Sequence, residues 1–329
     1  MISTITSEHQ YFGKSRMVYP ADSAPKPSRK SLPDFRQQRI EQLNAAVNNK
    51  GEIDCVILHP FLERSSQNIF TIFISAMLYS WEKDLKQSFF TAENRGKIAD
   101  LLRSQQQENG LWSFFSRQPY QLDWDDTSVA RKCLSPAQAF DPSPLLATFN
   151  NQQLIETWVN EVPDSFLMGD TDLCVNLNVV DYLLYTGVLT NMPVSVKSWC
   201  EKVLEADGLI YFSTYYQSFP FLLYQLSKLF FHYPIHQHCY PKLYALLKEK
   251  LCVDELIYSN YLSYLFLQLA KSYSKVLDRP SDVINTMYVF LQSNSYYLPA
   301  PFFYGPGGWY GSSAVSDFLT LEFLYLNNQ

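Results

Sequence analysis

The chain has 329 residues, 47% of them apolar and only 18% charged, with a formal net charge of −6. That composition excludes an intrinsically disordered chain. The acidic balance, with no dense Lys/Arg cluster, argues against a nucleic-acid binder.

Residues 1–33 mix Ser, Pro and Lys with few apolar side chains, which predicts a loose N-terminal arm. The first 14 residues carry no apolar stretch of the secretory-signal type. From residue 34 to 329 apolar residues recur at three- and four-residue spacing, and alternating β-branched runs are scarce. Helices are predicted in pairs. The first members fall at 34–49, 94–107, 150–160, 194–206, 238–250 and 281–293, and the second members at 65–82, 124–135, 172–186, 217–231, 256–273 and 312–326. The first members carry charge and look amphipathic, whereas the second are nearly uncharged. A helix that is apolar all round is buried all round. Six amphipathic helices outside six apolar ones predict an all-α, single-domain (α/α)6 toroid, since an open solenoid would need polar caps. The longer loops, 108–123, 161–171, 207–216 and 294–311, gather at the end where the inner helices begin. Unpaired N–H groups of those helices would converge there on the mouth of a central cavity.

Six cysteines, at 55, 133, 174, 200, 239 and 252, stand singly with no Cys-x-x-Cys, which reads as reduced core thiols. The longest apolar run, residues 69–81, is too short to span a bilayer. The expected protein is cytoplasmic, with no transmembrane segment. Aromatic residues reach 16%, with 23 Tyr, 23 Phe and 6 Trp. Some of these are candidates to line a cavity, although aromatics also serve cores and surfaces.

The sharpest chemical signal is Asp123-Trp124-Asp125-Asp126-Thr127, which opens the second predicted inner helix. Three carboxyls in four positions repel one another and invite a retained proton or stabilisation by the helix dipole. The plain alternative is helix capping, for which Asp is a preferred residue. Upstream, Gln105-Gln106-Gln107-Glu108-Asn109-Gly110-Leu111-Trp112 precedes the acidic cluster by about ten residues. This order, spacing and helix placement resemble the Q…G-x-W repeat and the D-x-D-D-T motif of class II terpene cyclases, the squalene-hopene-cyclase-like α/α-toroid superfamily. Gly208-Leu209-Ile210-Tyr211 and Gly307-Gly308-Trp309-Tyr310 look like decayed copies of the repeat. The resemblance covers residues 60–326 as architecture and 97–128 as motif.

The resemblance implies an isomerase- or lyase-type enzyme that protonates an alkene of a polyprenyl substrate. Asp125 would be the general acid, with Asp123 and Asp126 holding it. An alkene is a weak base, so the donor must be acidic, placed in advance and shielded from water. The carbocation then needs aromatic faces. Trp112, Phe114, Trp124, Phe212, Tyr215, Tyr216, Trp309 and Tyr310 are the candidates. The chain departs from that family in offering one toroid, where the full enzymes place the cavity between two α-domains. A partner or a second copy of the chain would have to complete the wall. No Asp-Asp-x-x-Asp metal motif is evident, so no cofactor is expected, with Mg2+ entering only if the substrate is a diphosphate. Arg64, Arg117 and Arg131 are weak candidates to hold such a tail.

A second polar cluster, Asp170 to Asn178, begins the third inner helix. Asp172 and Asn176 lie one turn apart and share a face, while Asn178 points elsewhere. Their plain role is capping and buried amide bonding; the functional one is to orient Asp125 or touch substrate. His232, His236, His238 and Cys239 have zinc-ligand chemistry, but neither zinc-ligand spacing. Two other functions fit the same architecture: a carbohydrate-active hydrolase using Asp125 and Asp172 as its carboxylate pair, and a non-catalytic toroid that binds a lipid or a protein.

Overall fold

The computed structural model describes residues 32–53, 56–58, 65–66, 71–112, 122–134, 141–159, 171–213, 215–216, 218–252, 261–292, 303–305 and 308–327. The predicted arm 1–33 lies outside these residues apart from its last two, and so do Phe114, Arg64 and Arg117.

The described residues are predominantly helical. The apolar helices are α2 (Thr71–Leu85), α4 (Trp124–Cys133), α6 (Leu173–Tyr185), α8 (Phe219–His232), α11 (Tyr261–Tyr273) and α13 (Ser313–Asn327). The more polar ones are α1 (Leu32–Ala45), α3 (Ala92–Gln105), α5 (Ser143–Asn150), α7 (Val194–Glu205), α10 (Pro241–Cys252) and α12 (Pro280–Gln292), with a five-residue α9 (Ile235–Cys239) between α8 and α10. Burial separates the two sets. Helix α1 buries Phe35, Arg39 and Leu43, and α10 buries Leu243, Leu247 and Leu251, a single stripe at four-residue spacing. Each such leucine contributes about 1.5–3 kcal/mol by leaving water. Helix α11 instead buries every residue from Tyr261 to Ala270, and α13 every residue from Ala314 to Leu324.

The apolar helices contact one another in cyclic order: α2 on α4, α4 on α6, α6 on α8, α8 on α11, α11 on α13, and α13 back on α2. The polar helices pack against this set. Helix α1 lies on α13, α3 on α2, α7 on α6, α10 on α8 and α11, and α12 on α13.

Two expectations need correction. The third polar helix is not at 150–160 but at Ser143–Asn150. Pro144 in its first turn sets the start, and Gln152, in the left-handed region at φ +59°, ends it. Residues 155–159 then run extended, bridging Asp123 through Trp158 and Thr171 through Glu156. The all-α class holds for the described residues, with four short strands beside the helices. Strands β1 (Val56–Leu58), β2 (Ser65–Ser66), β3 (Phe303–Gly305) and β4 (Gly308–Gly311) form an antiparallel sheet in the order β2-β1-β4-β3. Trp309 and Tyr310, expected in a loop, stand in β4 opposite Leu58 and Ile57. The sheet joins the segments that lead into α2 and α13.

Candidate functional site

Helix α4 starts at the acidic cluster. Asp123 is its N-cap, and Asp123 Oδ1 accepts from the Asp126 N–H at 2.8 Å. The chain around the cap is fixed by its backbone: Asp123 N–H donates to the Trp112 carbonyl at 3.2 Å, and Trp124 N–H to the Thr157 carbonyl at 3.0 Å. The Trp112 N–H donates to Thr127 Oγ1 at 3.0 Å. Hydrogen bonds therefore tie the glycine–tryptophan segment directly to the acidic turn.

Asp125 is 7% exposed and Asp126 3%. Asp125 Oδ1 accepts from Asn178 Nδ2 at 2.7 Å, and Oδ2 accepts from the Tyr216 hydroxyl. Both oxygens of Asp126 are buried with no hydrogen-bond partner among the described residues. Burial pushes the Asp125 carboxyl up to about 7, against the Tyr216 and Asn178 hydrogen bonds, with the Asp172 charge pushing the same way as burial. Asp123 and Asp126 are raised as well, first by burial and then by their acidic neighbours. These carboxyls have no ion-pair partner among the described residues, so they cannot all ionise together.

Asp172 and Asn176 have other duties. Asp172 caps α6, with Oδ1 accepting from Cys174 N–H at 2.8 Å and Val175 N–H at 3.1 Å. Its Oδ2 accepts from Ser213 Oγ at 2.6 Å and Tyr215 N–H at 3.1 Å. Asn176 brackets Ile155, accepting from its N–H and donating to its carbonyl, both at 2.9 Å. Of the two readings of this pair, capping and buried amide bonding is the one seen; the residue of α6 bonded to Asp125 is Asn178, on the other face of the helix. The departure of Asn178 from the 172/176 face was visible in the helix periodicity, but its partner was not.

Most of the candidate aromatics serve the interior. Trp112 Nε1 donates to the Leu102 carbonyl at 2.8 Å, and the Arg131 guanidinium lies 5.9 Å over its ring. Arg131 also donates to the Gly110 carbonyl at 2.8 Å, so it belongs to this loop rather than to a phosphate site. Tyr215 accepts from Trp158 Nε1 at 2.9 Å, and Phe212 meets Phe219 edge-on at 6.4 Å. Trp124 is half-buried. Tyr216 touches Asp125, and its ring stacks on Phe221 at 4.9 Å and lies 6.4 Å from Phe73.

Below Asp125 the rings continue without a break. Phe221 meets Phe266 at 5.0 Å, Phe266 meets Tyr224 at 5.2 Å, Tyr224 meets Trp81 at 5.6 Å, and Trp81 meets Phe318 at 6.0 Å. Between Asn178 and Lys228 lies a cavity of about 30 Å3, lined by Trp81, Asp181, Tyr224 and Gln225 among others. That is room for one or two waters, well short of the few hundred Å3 of a small-molecule pocket.

The histidine cluster is dispersed: His236 is buried against the Thr190 carbonyl at 3.2 Å, and Cys239 is exposed. No helix of the described residues is long and apolar enough to cross a membrane. No known family matches the chain, and no curated protein matches it.

Proposed function

We propose that the cyclic helix set is an (α/α)6 toroid and that the acidic turn at the head of α4 is a protonation site of the class II terpene-cyclase type. The observation that carries this reading is Asp125: a buried carboxyl without a cationic partner among the described residues, raised to about 7 and held by Asn178 and Tyr216. A carboxyl in that state keeps its proton near neutral pH and can give it to an acceptor brought into the same dry space. In that step the Asp125 O–H bond breaks and a C–H bond forms on one alkene carbon. The π pair makes that bond, and the cation develops on the other carbon. Tyr216, Phe221 and Phe73 offer the nearest π-faces. The chemistry assigned to Asp125 needs no metal. A diphosphate tail, if the substrate carries one, would bring Mg2+ with it.

Purified protein incubated with farnesyl or geranylgeranyl diphosphate, and with an uncharged polyprene, tests the reading. Product from the wild type and none from Asp125→Asn is the expected outcome. No turnover of any of these substrates by a folded wild type would overturn it.

A second reading has one observation in its favour: among the described residues the rings below Asp125 pack on one another, and the small cavity beside Gln225 has room for water only. A toroid filled in this way suits a non-catalytic binding protein, and lipid or protein capture that survives Asp125→Asn would select it. The carbohydrate-hydrolase reading draws no support, because both oxygens of Asp172 accept hydrogen bonds from the fold itself.

A further inference from the structure

The surroundings of Asp125 determine which of its oxygens can carry a proton. Gln225 Nε2 donates to the Cys174 carbonyl at 3.2 Å. A backbone carbonyl only accepts, so the Gln225 atom placed there must be its amide nitrogen. The same nitrogen donates to Asn178 Oδ1 at 2.9 Å. Asn178 must then turn its NH2 group toward Asp125, where Nδ2 donates to Oδ1. Oδ1 is thereby held as an acceptor by a group that can only donate, whereas the Tyr216 hydroxyl at Oδ2 can turn from donor to acceptor, so a proton on Asp125 is placed on Oδ2.

We propose that Gln225 is a positioning residue for Asp125. Acting through Asn178, it assigns the acidic proton to Oδ2 and stabilises the carboxylate left when that proton departs. The inference deepens the acid reading of Asp125 and rests on it. Gln225 also borders the small axial cavity, and its buried Oε1 has no hydrogen-bond partner among the described residues. A water in that cavity would satisfy this oxygen and hold the amide plane in place. Among the described residues, the other titratable groups near Asp125 are Asp123 and Asp126 in its own turn, Asp172 and Cys174 at the head of α6, and Tyr216 ahead of α8. Those on the neighbouring α2, namely Tyr79, Glu82, Lys83 and Asp84, lie in its later turns.

The test follows the protonated C=O stretching band of Asp125 in 13C-aspartate-labelled full-length protein as pH is raised, the band being assigned by its loss in Asp125→Asn. Gln225→Met removes the donor that orients Asn178, and the titration midpoint is expected to rise by about one pH unit. Gln225→Glu presents an acceptor to Asn178, turns that amide over and raises the midpoint further. In an Asn178→Ala background Gln225→Met should move nothing, because the relay is already cut. An unmoved midpoint in folded Gln225→Met overturns the proposal, and so does a shift that persists in the Asn178→Ala background. If Gln225→Met does not fold, Gln225→Glu decides by the same criterion. Failure of the acid reading looks different: the wild type would turn over no polyprenyl substrate, whatever its titration.

Discussion

Asp172 spends both oxygens on the fold, two hydrogen bonds to the first turn of α6 and two to the segment that ends in Tyr216. Tyr216 N–H donates in turn to Ser213 Oγ at 2.7 Å, so one carboxylate sets both the helix start and the placement of the tyrosine that meets Asp125. Asp172→Ala leaves four buried donors without their acceptor. We expect a loss of about 3 kcal/mol or more in urea unfolding, together with weakened contact between Tyr216 and Asp125. A variant within about 0.5 kcal/mol of the wild type would show that the cap is dispensable. The spacing of 172, 176 and 178 could be read in advance because helix geometry alone decides which side chains share a face. What each face meets depends on the neighbouring helix. For that reason Asn178 was set apart from Asp172 and Asn176 by the periodicity, yet its role beside Asp125 was not.

At the scale of elements, α6, α8, α11 and α13 were legible because they are nearly uncharged over several turns, and α10 because its leucines recur every four residues. The reading failed where apolar spacing had another cause. Leu154, Ile155 and Trp158 imitate a helical face, but Ile155 is pinned to Asn176, and Trp158 to Asp123 and Tyr215, along an extended segment. The four short strands are two to four residues long, too short to show any alternation. The end of α5 offers a direct check. Gln152 adopts φ +59°, a region that costs a side-chain-bearing residue about 1–2 kcal/mol relative to glycine. Gln152→Gly, after its greater unfolded-state entropy is counted, should stabilise the protein by up to about 1 kcal/mol, read as a higher urea midpoint. Gly51→Ala should do the reverse. At φ +84° an added Cβ would fall 2.3 Å from the Lys97 carbonyl oxygen, a backbone atom that cannot swing aside. Stabilisation by Gly51→Ala, or destabilisation by Gln152→Gly, would contradict these backbone assignments.

Across the whole molecule, the apolar helices carry a second polar layer away from the acidic turn, and every one of them contributes to it. Lys132 of α4 bridges Asp84 of α2 and Asp181 of α6, each at 2.5 Å, and Lys228 of α8 meets Asp84 at 3.0 Å. Glu322 of α13 accepts from Tyr224 of α8 at 3.0 and 3.1 Å and from Tyr273 of α11. The sequence hid this layer, because its members are scattered from residue 84 to residue 322 and only closure of the helix set brings them together. Lys132→Met leaves Asp84 with Lys228 alone and takes from Asp181, whose side chain is partly exposed, its Lys132 partner; it should cost about 1.5–3 kcal/mol in urea unfolding.

The acids of the interior also set how stability depends on pH. Asp125 and Glu82 are raised to about 7 and Asp317 to about 6, each chiefly by burial, and Asp123, Asp126 and Glu322 are raised too. Each binds its proton more tightly in the folded chain than in the unfolded one. The stability they contribute is complete below the ordinary carboxyl range and is lost as pH rises through their folded values. His232 acts in the opposite sense: burial lowers it to about 4, so it removes stability as pH falls below its ordinary value of 6.5. His236 is lowered by burial in the same way, and the six raised carboxyls outweigh the two histidines, which gives a maximum on the acid side of neutrality. The melting temperature is therefore expected to fall by about 5 °C or more between about pH 5.5 and pH 8.5, with a shallower fall in Asp125→Asn, which has no proton to lose. Calorimetry that finds stability level or rising across that interval would mean that the buried carboxyls are compensated in a way their surroundings do not provide.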